Sequence, residues 1–355
     1  MHLLIKPASG LCNMRCTYCF YCDAMAHRAQ PSYGIMSIDT LQGILRQALT
    51  TQDPDLTVAY QGGEPTLAGL DFFKASIELE KQFNTRRIPI HHALQTNGLL
   101  IDGDWAVFFK ENHFLIGLSI DGPKDIHDLN RPDTFGAGTF SRALKAARLL
   151  DTYGVDFNIL TVLSAPVAHH IEQVYAFFKK QGFRYLQFIP CLDGLGESPG
   201  SHPFSLTPAL YGDALCRLFD LWYRDLVSGR YISIRQLDNY VQMAAGYPPE
   251  SCGMSGQCVN QRVIEADGVV YPCDFYALDE YRLKDLNDPA DEFIHGVIIT
   301  DECRACPHYP LCRSGCRRTK DAQGSQYFCL AYKQFFSHAA PRLAELARTR
   351  PWEKQ

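Results

Sequence analysis

The run KPASGLCNMRCTYCFYCD, residues 6–23, places Cys12, Cys16 and Cys19 in a C-x3-C-x2-C spacing directly after the first apolar segment. Three thiolates hold three irons of a four-iron cluster and leave the fourth iron open to a ligand, whereas a purely structural cluster takes four cysteines. Structural zinc with Cys22 as a fourth ligand is the competing reading, because zinc sites are usually closed by four protein ligands.

Outward from this run, short apolar segments alternate with helix-length ones over the first 230 residues. Strands are predicted at 3–6, 56–61, 90–95, 114–120, 157–163 and 185–190 from their length and their β-branched and aromatic content. Helices are predicted at 37–50, 70–84, 103–112, 139–153, 168–181 and 207–228, with Ser37 (with Thr40), Asp71 and Thr207 at helix starts. This alternation implies parallel strands joined by crossover helices. Six units fall short of a closed eight-stranded barrel and fit either a partial barrel or a doubly wound sheet. In both, chemistry gathers at the C-terminal strand ends. The polar motifs fall there: the cysteine loop after strand one, QGGEP (61–65) after two, QTNG (95–98) after three, SIDG (119–122) after four and PCLD (190–193) after six.

After about residue 230 cysteine, glycine, proline and short loops dominate, and a helix is expected from Ala331 to Thr349 before a polar tail. The expected division is 1–230, 231–340 and 341–355. The chain has 355 residues, 46% hydrophobic and 21% charged, with a formal net charge of −5. No basic stripe points to nucleic acid, no apolar stretch is long enough to span a membrane, and MHLLIKP is too short for a signal peptide. A cytoplasmic monomer is expected. Of the fourteen cysteines, four fall in 12–22 and eight in 252–329, which suits metal better than disulfides in that compartment. Cys191 and Cys216 read as buried small hydrophobes, and the His91-His92 and His169-His170 pairs as structural, adjacent strand residues pointing to opposite faces.

The first loop resembles the signature of the radical S-adenosylmethionine enzymes, with Tyr18 and Phe20 flanking Cys19. The resemblance implies that the open iron chelates S-adenosylmethionine, whose reductive cleavage gives a 5′-deoxyadenosyl radical. It also implies cofactor contacts from Tyr18, Gly63, Ser119, Arg131 and Leu192, with Gly63 near the methionyl ammonium and Arg131 suited to the carboxylate. The later series Cys252-x5-Cys258-x14-Cys273 and Cys303-x2-Cys306-x5-Cys312-x3-Cys316-x12-Cys329 resembles the SPASM extension. In that family's two-cluster form Cys252, Cys258, Cys273 and Cys316 would hold a nearer cluster, and Cys303, Cys306, Cys312 and Cys329 an outer one. Zinc ribbons are the alternative. The implied fold is a partial (β/α)6 barrel with a loop-rich domain carrying two auxiliary clusters.

The runs YQGGEPTLAGL, LQTNGLLID, GLSIDGPKDIHDLNR, DFNILTVL, LQFIPCLD, SCGMSGQC and VVYPCDFYALD narrow the resemblance to the anaerobic sulfatase-maturating enzymes, in the family's order. Against that family, 286–303 is short, as if a helix were missing, and position 260 is Asn. The resemblance implies oxidation of a Cys or Ser to formylglycine in an unfolded sulfatase polypeptide, within a Cys/Ser-x-Pro-x-Arg segment. It implies three [4Fe-4S] clusters, a flavodoxin- or ferredoxin-like donor, Asp274 as proton acceptor, and Tyr21 and Gln61 at the substrate. A SPASM enzyme that crosslinks or epimerises a ribosomal peptide, and a non-catalytic iron–sulfur or zinc protein, are the rivals.

Overall fold

In the computed structural model, which describes residues 1–349, the chain forms two compact units. The first comprises Met1–Ile120, Arg131–Asn158 and Asn260–Ala290; the second comprises Asp121–Asn130, Ile159–Val259 and the chain from Asp291 on. Residues 260–290, expected to belong with the cysteine-rich segment, therefore cluster with the first unit.

In the first unit, β1 (His2–Ile5), β2 (Leu56–Tyr60), β3 (Ile90–Thr96) and β4 (Phe114–Ser119) pair in parallel and in sequence order. A doubly wound sheet would reverse direction part-way; here each crossover moves on to the next strand. The expected strand limits hold to within a residue. β8 (Val263–Ile264) and β9 (Val270–Tyr271) were not foreseen. They form a two-rung antiparallel ladder, and β8 pairs parallel with the other edge of β1. Strands this short carry too little pattern for sequence reading to detect.

Helix Ile38–Leu49 starts as expected, Ser37 Oγ accepting from the Thr40 N–H. Its Leu41, Ile44, Leu45, Ala48 and Leu49 form one buried stripe. Asp71 lies in the first turn of Leu70–Phe83, which starts after Gly69. Tyr60, Phe73, Trp105, Phe109 and Phe114 make an aromatic core, with successive ring centroids 5.0–5.4 Å apart. Each such ring, fully buried, contributes about 2–3 kcal/mol. His92 joins that core by stacking on Phe114 and pairing with Glu80 at 2.7 Å, a structural role.

In the second unit, β5 (Phe157–Leu163, its first two residues in the first unit), β6 (Tyr185–Pro190) and β7 (Ser233–Ile234) are again parallel and consecutive. The helix expected at 168–181 is two, Ala165–His169 and Ile171–Gln181, broken at His170. His169 and His170 thus end a helix rather than occupy a strand, and His170 Nδ1 contacts the Pro166 carbonyl at 2.9 Å. Thr207 caps Pro208–Val227 as expected. That helix packs on Cys329–Thr349, which starts two residues before the expected Ala331 and so makes Cys329 its first residue; Phe219 meets Phe335 at 5.9 Å. Short helices Asp291–His295 and Asp301–Ala305 occupy the 286–303 stretch. The tail from 350 onward lies outside the described residues. Among those described, no helix is long and apolar enough to cross a membrane.

Candidate active site

The Cys12–Cys19 loop leaves the C-terminal end of β1 and runs into helix Phe20–Ala26. Main-chain bonds fix it to the strand ends beside it: Gly63 N–H donates to Ser9 O at 2.9 Å and Glu64 N–H to Leu11 O at 2.7 Å. The glycines are required by this contact. Gly62 has φ +121°, and a Cβ at Gly63 would stand 2.0 Å from Leu11 O. The close approach expected of Gly63 toward a ligand is thus, first, an approach to the chain's own loop.

Glu64 is buried and locks two strand ends together. Its carboxylate accepts from Thr66 Oγ1 (2.6 Å), Thr96 Oγ1 (2.7 Å) and the Asn97 N–H (2.8 Å). Asn97 in turn donates to Asn13 Oδ1 at 2.7 Å and lies 3.8 Å from Cys12 Sγ. Neither residue was given a role from sequence, although both stand in quoted motifs, GGEP and QTNG.

The three thiols are not equivalent. Burial, then the Glu64 charge, pushes Cys12 up to about 12. A hydrogen bond from the Cys22 thiol outweighs burial and, with the Cys22 and Tyr21 main chain and the Arg131 charge, brings Cys19 down to about 6. Cys22, dispensable to the open-iron reading, is therefore a hydrogen-bond partner of a ligand candidate. Arg131 is buried and lies over the Tyr18 ring at 5.5 Å. Ser119 ends β4. Tyr18, Gly63, Ser119 and Arg131 all fall in the first unit, whereas Leu192 follows β6 in the second.

Asp274, Tyr21 and Gln61 come together. Tyr21 donates to Asp274 Oδ2 at 2.5 Å, and Gln61 Nε2 donates to both Tyr21 Oη (2.7 Å) and Asp274 Oδ2 (2.9 Å). The Asp274 N–H donates to Gln261 Oε1 at 3.3 Å. Oδ1 is buried and has no hydrogen-bond partner. An unsatisfied buried carboxylate oxygen costs free energy; it persists where the surroundings overdetermine it.

Those surroundings are ionic. Lys6 Nζ lies 3.0 Å from Glu265 Oε1, as an ion pair without hydrogen-bond geometry, and 4.8 Å above the Tyr21 ring. Arg28 Nη1 donates to Glu265 Oε2 at 2.7 Å, its Nε donates to Ala277 O, and Ser9 Oγ donates to Glu265 Oε2 at 2.7 Å. Two buried cations thus face two buried carboxylates. The carboxylates diverge: burial pushes Glu265 up, but Lys6 and Arg28 outweigh it and hold it below the usual range. For Asp274 burial wins over Lys6 and Tyr21, and its carboxyl is pushed up. Environments that drive paired acids apart mark acid–base chemistry.

In the second unit a cavity of about 280 Å³ is lined by Cys303, Cys306, Cys312 and Cys329, with Gln326 and Lys333 beside them. Arg313, Ser314 and Gly315 are consecutive left-handed residues at φ +48°, +65° and +64°. They turn the chain between Cys312 and Cys316, at roughly 1–2 kcal/mol for each non-glycine. Ser314 Oγ donates to Cys303 Sγ at 3.5 Å. Gly256 brings the Cys252–Cys258 loop against this turn, where a Cβ would stand 2.4 Å from Arg313 O. Burial, then the Cys316 and Cys258 charges, pushes Cys252 up to about 11. Burial also pushes Cys312 up to about 11, with Cys329, Cys303 and Cys306 as its thiol neighbours. Apart from Cys191 and Cys216, the second unit's thiols thus fall into two sets, 252/258/316 and 303/306/312/329. Cys273, the remaining ligand expected with the first set, lies in the first unit. Four thiols lining one cavity are the donor type that a four-iron cluster takes, and ligation would release the protons that burial retains. Cys191 is buried as expected and Cys216 half-buried.

A sequence profile of the radical SAM superfamily matches residues 7–178. The chain is 44% identical to the cysteine-type anaerobic sulfatase-maturating enzyme of Clostridium novyi, across 98% of each sequence. It is 30% identical to the serine-type anaerobic sulfatase-maturating enzyme of Bacteroides thetaiotaomicron, across 96% of this chain and 90% of that one. It superposes on native anSMEcpe with bound AdoMet and Kp18Cys peptide at a TM-score of 0.93 and 44% identity, covering 98% of both chains.

Proposed function

The chain belongs to the anaerobic sulfatase-maturating enzymes, and from that membership we propose that it oxidises a cysteine of an unfolded sulfatase segment, Cys-x-Pro-x-Arg, to formylglycine. Cysteine is favoured over serine because identity is 44% to the cysteine-type relative and 30% to the serine-type one. When bound, the first cluster and S-adenosylmethionine supply the radical that takes one hydrogen atom from the substrate Cβ.

The observation that carries the reading is Asp274, buried beside Cys273, with Oδ2 held by Tyr21 and Gln61 and Oδ1 unpartnered. Oδ1 accepts the substrate thiol proton, and the raised carboxyl makes it a stronger base than a surface aspartate. Loss of one hydrogen atom to the radical, one proton to Asp274 and one electron, which a cluster on the later cysteines would accept, converts –CH2SH to –CHS, and water then gives the aldehyde with release of H2S. Tyr21 and Gln61 fix Oδ2, so that one oxygen alone faces the substrate. In the first unit Tyr18, Gly63, Ser119 and Arg131 line the cofactor, Arg131 meeting its carboxylate.

We assign Cys12, Cys16 and Cys19, with the eight later cysteines, to three [4Fe-4S] clusters. The 280 Å³ four-thiol cavity and the two thiol sets support that count. A flavodoxin- or ferredoxin-like donor reduces the first cluster, and the enzyme works as a cytoplasmic monomer, where its thiols stay reduced.

The test is anoxic incubation with S-adenosylmethionine, dithionite and paired peptides differing only in Cys or Ser at the target. Mass spectrometry should find aldehyde on the Cys peptide at the higher rate. S-Adenosylmethionine cleavage with no aldehyde on either peptide would refute the substrate assignment.

A further inference from the structure

Lys6 is 1% exposed and Glu265, its partner at 3.0 Å, is 0% exposed. Replacing such a buried ion pair by well-packed apolar residues often leaves a protein equally or more stable, so stability alone does not account for it. Its place in the sheet does. Ile5 stands opposite Tyr60 on one side and Ile264 on the other. The next residues, Gln61, Lys6 and Glu265, therefore form one row across the C-terminal ends of β2, β1 and β8. Main-chain bonds carry the ladder into that row, from Gln61 N–H to Ile5 O at 2.9 Å and from Lys6 N–H to Ile264 O at 2.8 Å. The row, Tyr21, Arg28 and Asp274 all belong to the first unit.

Tyr21 is not on the sheet. It lies in the first turn of helix Phe20–Ala26, directly after the cysteine loop, and its bond to Asp274 Oδ2 joins residues 253 apart in the chain. The row reaches it twice. Gln61 Nε2 donates to its hydroxyl at 2.7 Å, and the Lys6 ammonium stands 4.8 Å from its ring centroid. A cation within about 6 Å of an aromatic face is attracted to it, and more strongly where water is excluded. The ammonium is itself fixed. Glu265 is anchored through its other oxygen by Arg28 Nη1 and Ser9 Oγ, each at 2.7 Å. The lysine stem packs on Gly62, where a Cβ would stand 3.2 Å from Lys6 Cβ.

We propose that Lys6 is a positioning residue for the oxidation: its ammonium, set by Glu265, holds the Tyr21 ring so that the Tyr21 hydroxyl stays on Asp274 Oδ2 and Oδ1 alone is left for the substrate thiol. This rests on the reading of Asp274 as the base. Lys6 acts through Tyr21, and the positive charge, rather than the length of the side chain, is what the ring requires. Removing that charge frees Tyr21 and lets the carboxylate turn about its Cβ–Cγ bond. The radical step then remains in place while the proton step loses its geometry.

The experiment measures aldehyde and 5′-deoxyadenosine together, on anoxic holoenzyme given the Cys peptide, dithionite and S-adenosylmethionine. The variants are Lys6→Met, Lys6→Met/Glu265→Gln (which removes both charges of the pair), Tyr21→Phe, Tyr21→Phe/Lys6→Met and Asp274→Asn. In both Lys6 variants the ratio of aldehyde to 5′-deoxyadenosine should fall about tenfold or more, the scale of a slightly misplaced catalytic group, while 5′-deoxyadenosine release stays within about twofold of wild type. On the Tyr21→Phe background the further loss of Lys6 should change the ratio little, because two groups acting through one contact are not additive. A wild-type ratio in Lys6→Met or in Lys6→Met/Glu265→Gln would overturn the proposal. So would an equal further loss on the Tyr21→Phe background, which would mean that Lys6 acts without the Tyr21 hydroxyl. Matching losses of aldehyde and 5′-deoxyadenosine in both Lys6 variants would place the effect in the fold and overturn it as well. A wild-type ratio in Asp274→Asn would instead refute the base assignment, and the role of Lys6 with it.

Discussion

The loop bearing Cys12, Cys16 and Cys19 is held by main-chain bonds to strand ends and sits beside four buried charges. In the second unit Cys303, Cys306, Cys312 and Cys329 line one cavity, a turn of left-handed residues follows Cys312, and the ionisable neighbours of Cys312 are thiols. The first arrangement places an acid, a base partner and cations around a site that must bind and release small molecules. The second gathers four thiols on one cavity with Lys333 and Glu302 at its lining, the donor type that a four-iron cluster takes. Two uses of cysteine in one chain thus differ in what surrounds the sulfur rather than in cysteine spacing.

Removing sulfur from each region breaks the comparison most sharply. Cys16→Ala should abolish both S-adenosylmethionine cleavage and aldehyde formation. Cys312→Ala should lower iron from about twelve to about eight per chain, at four per cluster, while cleavage persists. Anoxic iron and sulfide analysis with 5′-deoxyadenosine release checks both.

Glu265→Gln strips the buried cations of the first region of their partner. Lys6 and Arg28 would be left uncompensated, and breaking such a pair costs about 3–5 kcal/mol. Denaturant unfolding should show that loss, against a change under about 1 kcal/mol for the exposed pair Arg217–Glu172. A loss no larger than that of Arg217→Ala would mean that the ionic frame is dispensable.

Close packing offers a milder contrast. Gly63→Ala drives a Cβ onto Leu11 O, and Gly256→Ala drives one onto Arg313 O, each at roughly 1–3 kcal/mol. The first should weaken cleavage with auxiliary iron retained, and the second the reverse. Identical iron losses in the two variants would show that the regions are not independently built.

The smallest effect concerns stability alone. Asp238, which accepts from Ser233 Oγ at 2.6 Å, is pushed up to about 6, chiefly by burial. The folded chain therefore holds this proton more tightly than the unfolded chain, whose aspartate titrates near ~3.9. Its contribution to stability is full below that unfolded value and falls as pH rises through about 6. Asp238→Asn should flatten the melting-temperature profile across this window and raise stability at neutral pH; an unchanged profile would exclude the residue.

Much of this was legible in the chain because parallel strands and crossover helices announce themselves by length and period. Leu41, Ile44, Leu45, Ala48 and Leu49 repeat at helical spacing, and Ser37 caps as a serine should. The cysteines were legible because metal ligation fixes residue type and spacing together. β8 and β9, at two residues each, carry no period to read. Lys6, Arg28 and Glu265 were missed because they are scattered in sequence and meet only when β8 pairs with β1. Asn97 and Glu64 lay inside motifs already noticed, but their bonds reach across strand ends. Cys22 looked dispensable because its hydrogen bond to Cys19 depends on the local fold and not on cysteine spacing.

The central claim is that Asp274 takes the substrate proton after a radical step it does not itself perform. Asp274→Asn keeps the side chain's size and removes the base. Holoenzyme of this variant, given the Cys peptide, dithionite and S-adenosylmethionine, should release 5′-deoxyadenosine at a rate near wild type while aldehyde falls by about 100-fold or more, the contribution of a general base. Aldehyde formed at the wild-type ratio to 5′-deoxyadenosine would contradict the account.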